Sequence, residues 1–280
     1  MDSEQRAHEW RDAIDLEHPC FHDHAELIRK LDAHRFPNCE DLNPLLASPF
    51  PGGRTPPIRF SESDPLSAMD YERRIHEQGL ISTRSENWHD LFNALSWAAL
   101  PCIKSAMNQL HCRPRCGVEP GTRGSVRDAV TLLDECGMIV LSPDRKWLHA
   151  LACQDWRHVF PEVWRHPRRY RFIVVGHALL ESMLTPYKSL TAQALPLEVA
   201  PTDMPERTNG ARVELDRTIA RGLLNETLLQ STADLTPLPV MGLPGWWTAE
   251  PQDADFYRDP RVFRPRREGR QPAAFRKLMP

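Results

Sequence analysis

The stretch from 87 to 97 reads NWHDLFNALSW, an apolar and aromatic run whose spacing is helical. Four polar residues interrupt it: Asn87, His89, Asp90 and Asn93. Ser85 or Asn87 is available as the cap, and His89 and Asn93 stand four residues apart on one face. A segment patterned for burial that carries such groups predicts an internal polar network. Upstream, MDYERRIHEQG reads as a helix stopped by Gly79. Downstream, Pro101 is expected to break or kink the run before CIKSAMNQLHC resumes it, with Lys104, Asn108 and His111 on one polar stripe. The segment GSVRDAVTLLDECG is punctuated as a helix from Ser125 to Gly137. Its apolar stripe holds Val126, Ala129, Val130 and Leu133. Arg127, Thr131 and Asp134 line another face, with Asp128 and Glu135 beside them.

Beyond it, MIVLSP predicts a short strand around 138–142, and LTAQALPLEVA alternates as a strand over about 190–199. The run ACQDWRHVFPEVW is expected to break at Pro161. RYRFIVVGHALLESMLTPY is either a strand followed by a helix or one buried helix, and it places His177 and Glu181 four residues apart. Near the N-terminus, short amphipathic patterns cover about 4–15 and 24–34, the second capped at Asp23. Residues 35–66 hold seven prolines without a sustained period and read as an extended loop. The fold expected is mainly α, α+β with a few short strands: one globular domain wrapped by Pro-rich N- and C-terminal segments. Its parts are a helical segment 1–34, a domain 35–267 and a basic tail 268–280.

Composition changes this picture little. The 280 residues suffice for a sizeable core, and a net charge of −3 supplies no basic field for nucleic acid, although the basic tail remains open. Proline is the exception, at 26 residues against a usual share of about 5%. No apolar run is long enough to span a membrane and no signal-peptide pattern is read, so a cytoplasmic location is expected. The seven cysteines are scattered and expected to be free thiols. Cys112 and Cys116 beside His111 offer half a zinc site whose second half is not found, and Cys20, His22 and His24 read as a histidine-rich helix start.

Five blocks together resemble a known family. They are YERRIHEQGLISTRSENWHDLFNALSWAALPCIKSAMNQLH, RDAVTLLDECG, GHALLESMLTPYKSLTAQ, PLPVMGLPGWW and FYRDPRVFRPRR. The family is the uncharacterised proteobacterial Domain of Unknown Function 3025, and the resemblance runs from about residue 35 to 267. It implies a cytoplasmic bacterial chain whose Pro/Trp-rich C-terminal segment belongs to the fold, and it implies no activity.

Three functional readings follow from the residues. In the first, a metal-dependent hydrolase, His89, Asp128, Glu135, His177 and Glu181 hold a divalent metal. His89, Asp90, Lys104 and Arg127 then serve the chemistry, while Asn93, Asn108, Trp246 and Trp247 line the substrate pocket. In the second, a metal-free enzyme or small-molecule binder uses the same pocket, with His89 as general base. In the third, the polar cluster of a non-catalytic scaffold only fixes helix register. No G-x-S-x-G, Walker A or dinucleotide fingerprint is present. Trp246 and Trp247 either pack back on the core or form a contact surface.

Overall fold

The computed structural model describes residues 9–46, 56–62, 66–113, 125–201, 204, 208–269 and 271–279. Within them the chain is mixed α+β. The N-terminal segment carries three short helices, α1 (Glu9–Asp12), α2 (Ala25–Arg29) and α3 (Cys39–Leu42). The strand β1 (Arg59–Ser61) pairs in parallel with β2 (Leu80–Ser82) across the helix α4 (Ala68–Gln78). β1 falls where only loop was expected; Phe60 is buried there and opposes Ile81. Gly79 ends α4 at φ 69°, and a Cβ there would lie 2.3 Å from the Pro57 carbonyl oxygen, so glycine is required at this turn.

The central helices are α5 (Trp88–Ala99), α6 (Pro101–Cys112) and α7 (Ser125–Cys136). Asn87 is the cap of α5, its Oδ1 accepting from the Asp90 amide at 3.0 Å. Pro101 breaks the run as expected, at the first position of α6, where its missing N–H costs nothing. The amides that follow are satisfied from elsewhere. Asp216, in α11 (Asn209–Leu224), accepts from Cys102 N at 2.8 Å and Ile103 N at 2.9 Å.

α7 passes without a loop into β3 (Gly137–Ser142), every residue of which is buried. After α8 (Arg145–Ala152) and α9 (Trp156–Arg165) come β4 (Arg171–Val174), α10 (His177–Ser182) and β5 (Thr191–Glu198). The segment around His177 is thus a strand followed by a helix. β6 (Thr236–Pro239) and β7 (Arg276–Lys277) complete the larger sheet. Its order is β4-β3-β5-β6, with β7 sharing the outer edge of β5. β3 runs parallel to β5 and antiparallel to β4, and β5 is antiparallel to β6.

Three local expectations are corrected. α9 continues through Pro161, because Trp156, Val159, Phe160 and Val163 bury one strong apolar stripe that outweighs a lost hydrogen bond. The cap of α2 is His24 rather than Asp23, and it makes no side-chain cap bond. The second N-terminal pattern, about 24–34, shrinks to the five residues of α2; of the first, about 4–15, residues 4–8 lie outside the described chain, and Glu9–Asp12 is helical. Trp10, Phe21, Leu95, Leu195, Trp246 and Phe263 all belong to one hydrophobic cluster, so both ends of the described chain contribute to the same core. No helix among the described residues is long and apolar enough to cross a membrane.

Candidate metal centre

The backbone brings three helices to one point. α7 ends on Asp134, Glu135 and Cys136, and β3 starts at once. The turn from β4 into α10 is pinned against this junction: the amides of Val175 and Gly176 both donate to the Gly137 carbonyl, at 3.0 and 2.9 Å. A Cβ on Gly176 would lie 2.4 Å from Gly137 N and 2.5 Å from the Glu135 carbonyl oxygen. Only glycine permits so close an approach, which sets His177, the first residue of α10, beside the end of α7.

From the other side α5 contributes His89. Its Nε2 lies 2.9 Å from Nε2 of His177, and its Nδ1 lies 3.0 Å from Oε2 of Glu181. The two α10 residues that share a face therefore clasp the imidazole of His89 from opposite edges. Oε2 of Glu135 lies 3.8 Å from Nε2 of His177. One ligand-type atom from each of His89, Glu135 and His177 falls within 4.8 Å of the other two, and this is the one such group among the described residues. Two nitrogens bound tetrahedrally to one zinc at about 2.0–2.1 Å would be roughly 3.3 Å apart. The His–His separation of 2.9 Å is a few tenths of an ångström short of that spacing.

Behind this group the polarity continues inward. Asp134 Oδ1 lies 3.9 Å from Nδ1 of His177 and takes a direct contact from the Lys104 ammonium. Lys104 also donates to Asn93 Oδ1 at 2.8 Å, and Asn93 Nδ2 is 2.7 Å from the Tyr71 hydroxyl. Asn108 donates to the Glu72 carboxylate at 2.6 Å and to its carbonyl at 2.9 Å.

Exposure grades across the site. The His177 side chain is 5% exposed and Lys104 2%, whereas His89, Glu181 and Glu135 are 35%, 40% and 46% exposed. The group thus has a buried floor and an accessible side. Burial pushes the His177 imidazole down to about 3, with Asp134 opposing and Lys104 and His89 adding to the effect, so it is neutral and able to offer a lone pair. Burial raises the Glu135 carboxyl, His89 partly offsetting it. Burial also pushes Asp134 upward, but the Lys104 ammonium in direct contact with it outweighs this and leaves it below the usual carboxylate range.

Other residues singled out from the sequence lie elsewhere. Asp90 is held by Arg84, through Nε at 2.9 Å and Nη2 at 2.8 Å, outside the three-atom group. Asp128 stands seven residues before Glu135 in α7, two turns or about 10 Å along the axis. Arg127 sits at the same distance from Asp134 and donates to the Arg113 carbonyl at 3.1 Å. Lys104 is enclosed, and Asn93 and Asn108 contact protein groups. Trp246 is buried, its carbonyl 3.1 Å from His18 Nε2, while Trp247 is half-buried and donates to Glu250 at 3.2 Å. Cys116 lies outside the described residues, and Cys20, His22 and His24 form no metal-type group. Tyr71 and Glu72 went unnoticed in the sequence. The four-residue spacing of Tyr71 and buried Ile75 on α4 was the available signal.

A family model described as Protein of unknown function (DUF3025) matches residues 58–267. No curated protein and no solved structure matches the chain.

Proposed function

We propose that this chain, which belongs to the family described as Protein of unknown function (DUF3025), is a metal-dependent hydrolase. In this reading Nε2 of His89, Nε2 of His177 and the Glu135 carboxylate hold one divalent cation. Three protein ligands with an accessible side form the ligand set of a catalytic rather than a structural zinc centre. The observation that carries the reading is the convergence of the two Nε2 atoms, 2.9 Å apart, while a carboxylate faces each Nδ1: Glu181 on His89 and Asp134 on His177. Such outer carboxylates orient ligating imidazoles and raise their basicity.

Charge supports the same conclusion. Asp134 is paired with the buried Lys104 ammonium, whereas Glu181 meets the imidazole of His89 and Glu135 lies beside His177 without a lysine or arginine ion pair of its own. A dication would sit against both of these carboxylates. When bound it supplies Lewis acidity and lowers the pKa of a coordinated water. The chain's own residues hold the donors in place: Gly176 seats His177, and Glu181 fixes the ring of His89.

The test is turnover. Protein loaded with zinc or manganese is expected to hydrolyse a chromogenic ester or phosphodiester, to lose that activity on chelation, and to lack it as His177→Gln. A metal-loaded protein inert toward both substrate classes removes the hydrolytic part of the proposal. A second reading, a non-catalytic scaffold, is favoured by the His89–His177 contact itself, since one Nε2–H donating to the other ties α5 to α10 without any ion. In that case chelation changes neither activity nor thermal stability.

A further inference from the structure

We infer that Lys104 is a positioning residue for this centre: it fixes the Asp134 carboxylate behind His177, and that carboxylate turns the Nε2 lone pair of the histidine toward the cation. The inference rests on the metal reading above and assigns a role to a group that the reading leaves aside.

Lys104 cannot act on a substrate. Its side chain is 2% exposed, with the ammonium set between Asp134 Oδ1, Asn93 Oδ1 at 2.8 Å and the Trp97 ring, 5.7 Å from the ring centroid. Asn93 is itself anchored by the Tyr71 hydroxyl. The ammonium is therefore held by α5, α6 and α7 together, and it reaches the metal group through Asp134.

The oxygen that receives Lys104 is the one that faces His177. Oδ1 of Asp134 lies 3.9 Å from Nδ1, too far for a hydrogen bond but close enough for its charge to act, and Nδ1 is a buried nitrogen without a hydrogen-bond partner. A carboxylate charge on the Nδ1 side favours the tautomer that carries its proton on Nδ1, which leaves Nε2 as a lone pair. His89 achieves this with Glu181, an exposed acid on a neighbouring helix. His177 sits deeper, where a carboxylate without a counter-charge is costly to bury. The lysine removes that cost, and so explains a fully enclosed ammonium beside a cation site. Because Asp134 and Glu135 are consecutive, the same ion pair also steadies the end of α7 from which Glu135 emerges.

Cobalt titration of the full chain, followed by visible absorption, tests this on wild type, Lys104→Met, Asp134→Asn and the double variant. Wild type is expected to take one cobalt. Each single variant is expected to bind about 10–100-fold more weakly, with shifted absorption bands. The double variant is expected to bind no more weakly than Asp134→Asn alone, since the lysine acts through that carboxylate. Lys104→Met with wild-type affinity and bands, or with the same loss in both backgrounds, overturns the inference. A wild-type chain that takes no cobalt instead overturns the metal reading itself. Should Lys104→Met fail to fold by circular dichroism, Asp134→Asn decides: the same loss at unchanged melting temperature sustains the inference, and unchanged affinity overturns it.

Discussion

His89 and His177, 88 residues apart in the chain, bring their Nε2 atoms to 2.9 Å with ring centroids 4.3 Å apart. Glu181 holds the other nitrogen of His89 at 3.0 Å, and Asp134 lies 3.9 Å from the other nitrogen of His177. Removing the orienting group of the more accessible ring is therefore informative. Glu181→Gln is expected to weaken cation binding by about 10–100-fold while leaving the fold intact, measured by competition with a chromophoric chelator. Unchanged affinity would show that His89 needs no orientation.

The seat of His177 depends on Gly176. Its replacement by alanine forces a methyl into the backbone of Glu135 and Gly137. Gly176→Ala is expected to cost about 1–3 kcal/mol in urea unfolding and to abolish tight cation binding with it. Gly210, in the first turn of α11 with open space at its Cβ, is the control: Gly210→Ala is expected to stabilise by roughly 0.5–1 kcal/mol without touching the site.

The start of α6 is capped by a side chain 113 and 114 residues away, Asp216, which accepts from both Ile103 N and Cys102 N. Asp216→Ala leaves two buried amides without partners. A loss of about 2–4 kcal/mol is expected by chemical denaturation, with Asp216→Asn retaining part of the stability through its amide oxygen. Equal losses for the two variants would show that the cap is not what the carboxylate contributes.

His24 sets an acid limit. It is fully buried, neither ring nitrogen has a hydrogen-bond partner, and burial pushes its pKa down from 6.5 to about 4, Asp23 opposing the shift. Between those values the unfolded chain binds the proton that the folded chain refuses, so stability falls as pH drops from 6.5 toward 4. The contribution is on the order of 3 kcal/mol. His24→Leu is expected to flatten this part of the stability–pH curve measured by thermal melts. A variant curve parallel to wild type would contradict the assignment.

Much of the site is legible along the chain because its residues keep helical spacing. His89 stands out as a polar group in a buried run, and His177 and Glu181 stand out as an i,i+4 pair. What spacing does not reveal is which edge of each ring meets which partner. Glu181 reads as a ligand, yet it bonds Nδ1 of His89, because the axis of α10 relative to α5 decides that contact. Asp128 and Glu135 share a helix face, and only their two-turn separation sets them apart. Lys104 reads as a charge available to a substrate, and burial against Asp134 removes it from that role. The cap of α6 was illegible, since Asp216 arrives from another helix. β3 and β5 were plain from their apolar and alternating runs, whereas the three residues of β1 among seven prolines offered no period to read.

In the proposed centre His89, His177 and Glu135 hold one divalent cation. Elemental analysis of the untagged protein, purified without chelator, beside a His89→Ala/His177→Ala double variant tests it most directly. Close to one zinc, manganese or iron per wild-type chain is expected, and none in the variant. A wild-type chain free of metal that also fails to take up any of these ions from a loading buffer would contradict it and leave the polar cluster as architecture.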